Sequence, residues 1–426
     1  MRALSPPSPR RIAFVSVCTL MMARSAAAET VDELLAAALR SDPTLQASDA
    51  RMDAADADVV RARAAALPRL TATGGYTRNQ VEAAFTLPGT ADVVTIQKRD
   101  QLDATVRAEV PLFDAAAWAG VGAADACRDA RQARSDADRE SALLAVLTDA
   151  WAVRTAQVAL DARQRVVDAD RALLARAETR QDVGVGPTLD VLNARAELAR
   201  AEEDHLAAVA ALRAAQRRLA ARTGGVDAAP TDLAPRPFAS SDAATPPELR
   251  AADLDVVCEE HRLDQTRWGQ APTVSAFAQE RLTNAAGFTG RADTWAVGVS
   301  ASWVAFDGGA AQARNRSASA SVAEARATRL DVARRADDDL AAARDDLEVA
   351  RAALRGADAQ IAAAEESRRV TRERLDQGTA TPADVAAAER VVADAVVSGA
   401  RAAERVALGY EALRRAAGAP LLGGAS

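Results

Sequence analysis

Residues 146–174 read VLTDAWAVRTAQVALDARQRVVDADRALL, and 194 positions later residues 340–368 read LAAARDDLEVARAALRGADAQIAAAEESR. In the first stretch Val146, Val153, Leu160, Val167 and Leu174 recur every seven residues; in the second Leu340, Leu347, Leu354 and Ile361 keep the spacing and Arg368 ends it. An apolar residue at every seventh position over several turns is a coiled-coil seam rather than a strand. Both stretches are therefore expected to be long helices, and their match at a fixed offset marks an internal duplication.

The duplication extends outward from this pair. Val191, Leu198, His205, Leu212 and Leu219 answer at the same offset to Val385, Val392, Gly399, Val406 and Leu413, with His205 and Gly399 interrupting the seam in the same slot. Leu45, Met52 and Val59 answer to Leu249, Val256 and Leu263 at an offset of 204. Between the first and second helix of each half the period changes from seven to two. Leu70, Ala72, Gly74 and Tyr76 alternate with polar neighbours and face a return strand carrying Leu102, Ala104, Val106, Ala108, Val110 and Leu112. In the second half Val274, Ala276 and Ala278 face Trp295, Val297, Val299, Ala301 and Trp303. The expected organisation is a first repeat over 29–222 (helix, hairpin 68–113, long helix 114–182, helix 187–222) and a linker over 223–247. A second repeat over 248–418 (helix, hairpin 272–306, long helix 307–377, helix 382–417) and a tail over 419–426 complete it.

Composition fits long helices packed through small side chains, since 49% of residues are hydrophobic but only 3% aromatic, and 27% are charged. Residues 1–28 read as a signal peptide: Arg2, Arg10 and Arg11 precede an apolar run from Ile12 to Ala23, and Ala26-Ala27-Ala28 offers the cleavage site. The mature chain is expected to begin near Glu29, leaving Cys127 and Cys258 once Cys18 departs with the signal, unless Cys18 is lipidated. Cleavage removes four arginines and no acid, taking the net charge from −7 to about −11, which speaks against a nucleic-acid partner. No later stretch is expected to give the ~18 uninterrupted apolar residues of a membrane helix, because Asp149 breaks the run from Leu143 to Val153. The two histidines, His205 and His261, have no Cys, His or acidic cluster at ligand spacing, so no catalytic, cofactor or metal site is expected.

Four alternating strands cannot close a barrel without leaving edges unpaired in lipid, at several kcal/mol per unpaired backbone group, so closure must come from other copies. The strands, ~10 to 12 residues each, have bilayer-crossing length, and the helices that follow would run ~100 Å, suited to crossing a periplasm. The expected fold is mainly α with a membrane β part: antiparallel coiled-coil helices plus two hairpins. A periplasmic coiled-coil scaffold or adaptor without a pore is the rival reading; it explains the heptads but gives the hairpins no purpose.

Pro111-Leu112-Phe113-Asp114 and Ala305-Phe306-Asp307-Gly308-Gly309 stand where strand passes into long helix, and a Gly-x-x-Ser/Thr-x-x-Asp-Val pattern marks each helix turn. The second turn carries it as Gly378, Thr381, Asp384 and Val385; the first keeps Gly184, Asp190 and Val191 but has Pro187 in the Ser/Thr place, with Thr188 beside it. Over nearly the whole mature chain the sequence resembles the TolC-like outer-membrane efflux and secretion proteins. That resemblance implies a homotrimer with a twelve-stranded barrel in outer-membrane lipid and a helical tunnel in the periplasm. It further implies docking to a periplasmic adaptor and an inner-membrane pump. Ducts of this family serve drug efflux, metal efflux or type I protein secretion.

The turns around Gly184 and Gly378 each follow about 70 helical residues, which puts them at the far tip of the tube, the expected docking site. Gly184 and Gly378 suit the left-handed residue that ends a helix; Thr381, Pro382 and Asp384 suit a helix start. Asp182, Asp190, Asp376 and Asp384 gather at that depth with Arg180 and Arg374, an expected set of gate pairs. Three features stay open in the sequence. Asp337-Asp338-Asp339 and Asp345-Asp346 fit either a tunnel lining or a solvated helix face. Trp295 and Trp303 fit a membrane-interface girdle, whereas Phe113, Phe306 and Trp118 fit either that or packing at the handover. Cys127 lies 14 residues after Phe113 and Cys258 lies 14 before Pro272, so both sit at equal depth, paired or merely buried.

Overall fold

The computed structural model describes residues 30–86, 89, 93–238 and 244–421. The signal peptide, its cleavage site and Cys18 lie outside them. Two short helices open the chain, α1 (Val31–Ser41) and α2 (Pro43–Ala65), separated where Asp42 caps the second and Pro43 takes its first position. Strands β1 (Arg69–Arg78), β2 (Ala83–Thr86), β3 (Val93–Gln97) and β4 (Asp100–Phe113) follow. Then come α3 (Ala115–Asp182, 68 residues) and α4 (Thr188–Thr223). The second half repeats the plan with α5 (Pro247–Trp268), β5 (Thr273–Thr283), β6 (Asp293–Ser302), α6 (Ala310–Asp376, 67 residues) and α7 (Pro382–Ala416).

Both α2 and α4 pack along α3, and both α5 and α7 pack against α3 and α6. The short helices of each half are thus stacked in line along a long one. Their junctions are tight: a Cβ on Gly224, just past α4, would lie 2.5 Å from the Ser41 hydroxyl at the end of α1. On the other side Arg415 near the end of α7 bonds Glu248 at the start of α5 and donates to Ser141 Oγ of α3 at 2.8 Å. The heptads form the core. Val146, Val153, Leu212 and Leu219 are buried with Leu34 and Leu35 of α1 in one cluster; Val167 packs with Ala201 and Val397, and Leu347 with Val406 and Leu413. Each such Leu or Val contributes roughly 1.5–3 kcal/mol of burial. Gly399, which broke the seam pattern, is where Ile361 enters: a Cβ there would stand 2.8 Å from Ile361 Cδ1. His205, in the matching slot, is half-buried.

By length and composition α3 contains an 18-residue window with a mean hydropathy of 1.3, although Asp149 and Arg154 interrupt its apolar run. The apolar run that includes Leu143, Val146, Leu147 and Ala150 is buried against α1 and α4.

The main sheet has the order β1-β4-β5-β6, antiparallel throughout, so β1 and β6 are its edges. Ala72 stands opposite Val106, Val106 opposite Glu280, and Ala276 opposite Val299. This register puts Leu70, Tyr76, Leu102, Val106, Val110, Val297, Val299 and Trp295 on one face, with Glu280 a charged exception among them, and Thr71, Arg107, Glu109, Ser275 and Gln279 on the other. Trp295 is 77% exposed on that apolar face, and Trp303, just beyond β6, is 65% exposed. Trp118 instead packs edge-on against Phe113, ring centroids 5.5 Å apart, at the strand-to-helix handover. The longer loop of the first hairpin, unread as structure in the sequence, holds the β2–β3 pair, whose Phe85 meets Phe288 of the shorter loop. Cys127 and Cys258 are joined by a disulfide with Cα atoms 4.6 Å apart, tying α3 to α5.

Candidate functional site

The ends of α3 and α6 terminate in the same way, residue for residue. Gly184 and Gly378 take φ values of 75° and 71°, a left-handed conformation that costs a side chain but not glycine. The Gly184 amide donates to Gln181 O at 2.9 Å and the Val185 amide to Arg180 O at 3.0 Å. At the second turn the Gly378 amide donates to Leu375 O at 3.0 Å and the Thr379 amide to Arg374 O at 2.9 Å. Both are Schellman closures, which satisfy the last helical carbonyls and reverse the chain sharply.

The two restarts differ. Thr381 and Asp384 form a reciprocal box: the Asp384 amide donates to Thr381 Oγ1 at 3.2 Å and the Thr381 amide to Asp384 Oδ2 at 2.8 Å. Those bonds from the Thr381 amide and hydroxyl hold the Asp384 carboxyl below its ordinary pKa. Pro187 offers no side chain to cap α4; the Asp190 amide donates to Pro187 O at 3.1 Å, and Gln181 Nε2 donates to Thr188 Oγ1 at 3.1 Å across the turn. Val191 and Val385 are buried, anchoring each restart to its helix pair. The turns meet: Arg180, Gly186 and Asp190 of the first share a cleft with Leu375 and Pro382 of the second, a space of about 10 Å³.

The expected gate pairs are not made within the chain. Asp376 takes Arg176 at 3.0 Å instead of Arg374, and Asp384 is committed to its cap. Arg180, Arg374 and Asp182 are exposed and carry no ion pair among the described residues. The sequence reading also missed an apolar rim: Val183, Val185, Leu189 and Leu192, all around the first turn, are each more than half exposed. The signal was present as four aliphatic residues outside any heptad.

About twelve residues up α3 from this tip, Asp170 is only 1% exposed and neither carboxylate oxygen has a partner. It faces Glu197 of α4 and Glu389 and Arg390 of α7; Arg390 is bonded to Glu197, while Glu389 takes Arg368 at 3.5 Å and Arg372 of α6. Burial dominates, and the carboxyl is raised from 3.8 to about 6. The ionised form is the penalised one, so the contribution to stability is full below pH 3.8 and lost as pH rises through 6. A shift of that size corresponds to about 3 kcal/mol. Asp170→Asn is therefore expected to unfold at higher temperature than the parent at pH 7.5 and at the same temperature near pH 3.5. Thermal melts followed by circular dichroism across that range check it, and equal melts at pH 7.5 would show the carboxylate is not strained.

Among the described residues no group of three or more His, Cys, Asp or Glu is placed to hold a metal ion. The signature of the family described as "Outer membrane efflux protein" matches residues 34–225 and 240–419. No curated protein matches the chain in sequence. Among solved structures it is similar to the outer-membrane channel OprN, at 24% identity over 91% of this chain and 89% of that one, TM-score 0.72. It is also similar to the outer membrane protein VceC of Vibrio cholerae, at 19% identity over 92% and 96%, TM-score 0.74. The outer membrane channel CmeC of Campylobacter jejuni follows the same course at 15% identity over 91% and 85%, TM-score 0.78.

Proposed function

Since the chain belongs to the outer membrane efflux protein family, we propose that three copies close one twelve-stranded barrel and one helical tunnel, a passive exit duct served by an adaptor and an inner-membrane pump. The observation that carries this reading is the sheet. Its four strands have one apolar and one polar face, and β1 and β6 are left without neighbours at its two edges. Two open edges in lipid are untenable, and pairing β6 of one copy with β1 of the next removes all of them at once. The rival, a pore-free periplasmic scaffold, leaves the exposed apolar face of this sheet unexplained.

We place adaptor docking at the tip, where three copies of two turns make a ring of six. The exposed Val183, Val185 and Leu189 supply the apolar contact that ion pairs at a wet rim, worth ~0 to 1 kcal/mol each, would not. Gly378→Trp is expected to leave trimers and expression unchanged and to abolish transport, because the left-handed turn is strained by any side chain and the ring is blocked by a bulky one. Transport at the parental level with normal trimers would move docking away from the turns. The duct itself is tested by fractionation: a detergent-resistant trimer in the outer membrane is expected, and release as a soluble protein would end the reading.

A further inference from the structure

We propose that Arg107, held on Phe277, is the fixed element of a cationic belt on the polar face of the sheet, and that this belt makes the outer part of the duct favour anions. The proposal rests on the duct reading above, in which that face lines the lumen. Register assigns the face: Arg107 stands between Thr71 of β1 and Gln279 of β5, and Phe277 between Glu109 of β4 and Gly298 of β6. An aromatic ring on a lumen face is out of place in a polar water-filled barrel. Here the chain makes room for it, because the ring lies against Gly298, where a Cβ would come within 2.9 Å of its edge.

The guanidinium of Arg107 sits 4.3 Å from the centroid of that ring. Arg107 Nη1 donates to Gln279 Oε1 at 3.0 Å, and Nε lies 3.6 Å from Glu109 Oε2. Glu109 is shared in turn, accepting from Ser275 Oγ at 2.9 Å and lying 3.9 Å from Arg69. Further along, Arg281 pairs with Asp103 at 2.7 Å. Arg69, Arg107 and Arg281 thus face two carboxylates, Asp103 and Glu109, an excess of one positive charge per copy and three per closed barrel. The chain as a whole carries −7, so this excess runs against its overall sign. A guanidinium fixed on a ring and a glutamine cannot fold back to the wall, and fixed charge in a narrow aqueous path raises the local concentration of its counter-ion.

The test is the zero-current potential of full-length trimers in planar bilayers under a potassium chloride gradient. Arg107→Gln removes three charges and is expected to lower the chloride-to-potassium permeability ratio by on the order of twofold. Glu109→Gln adds three and is expected to raise it. Gly298→Val, which displaces the ring while keeping every charge, is expected to shift the ratio in the direction of Arg107→Gln but by less. Conducting channels whose ratio is the same in the parent and both charge variants would overturn the belt and leave the duct intact. A parent that forms no channels would overturn the duct itself.

Discussion

Replacing Val106 with proline is expected to abolish insertion into the outer membrane while leaving most of the helical content in place. Val106 lies in the middle of β4, a central strand paired with Ala72 of β1 on one side and Glu280 of β5 on the other. Proline has no amide hydrogen, so one ladder bond is lost, and its ring crowds the neighbouring strand. In water the freed carbonyl would find a solvent partner. In lipid it has none, at a cost of several kcal/mol per copy. The helices bury their heptads against one another and not against the sheet, so α3, α4, α6 and α7 should remain folded. Membrane fractionation with far-ultraviolet circular dichroism checks both halves of the expectation. A variant that inserts and conducts would mean that β4 is not a barrel strand.

The period of the sequence carried the helices and the sheet because each rests on a repeat that survives in one dimension: seven for Val146 to Leu174, two for Leu102 to Leu112. Features that depend on which elements become neighbours were less accessible. Asp170 falls three residues after Val167, the other inward position of the same heptad, so its burial was readable. That it meets Arg390 across α7 was not. Pairing within the chain was hidden for the same reason: the equal depth of Asp376 and Arg374 did not reveal that Arg176 of α3 reaches Asp376. Val93-Val94-Thr95-Ile96-Gln97 has strand composition, but inside a loop it lacks a long alternating partner, and its pairing with Ala83–Thr86 carries a register shift. Stacking of α2 and α4 along α3 fits the nearly constant offset along the helices and its large change at the hairpins: helices packed side by side keep nearly equal lengths, 68 residues in α3 and 67 in α6, and the loops need not.

Converting Cys127 and Cys258 together to serine is expected to lower the unfolding free energy by up to about 5 kcal/mol, the chain-entropy value for a closure of this length. The sequence separation is 131 residues. Within that loop lie most of α3, all of α4, the linker and the start of α5, so in the unfolded chain the bond removes a large share of the freedom separating the two halves. Its position adds a second effect. Cys127 stands 14 residues past the end of β4 and Cys258 stands 15 before the start of β5, each about 20 Å by helical rise from the place where β4 of the first repeat pairs with β5 of the second. That strand pair is where the two halves of the main sheet join, and its long-range contacts are slow to form because the loop must close first. A bond between α3 and α5, made in an oxidising compartment, brings the two strands into reach before they enter lipid. The serine variant should therefore show both a lower urea midpoint and a slower rise of membrane-inserted trimer after synthesis, with the final trimer unchanged in conductance. Intact mass under non-reducing conditions comes first: a parent chain with two free thiols would remove the basis for both effects, and a serine variant with an unchanged midpoint would show that the bond only decorates helices already held by their seams.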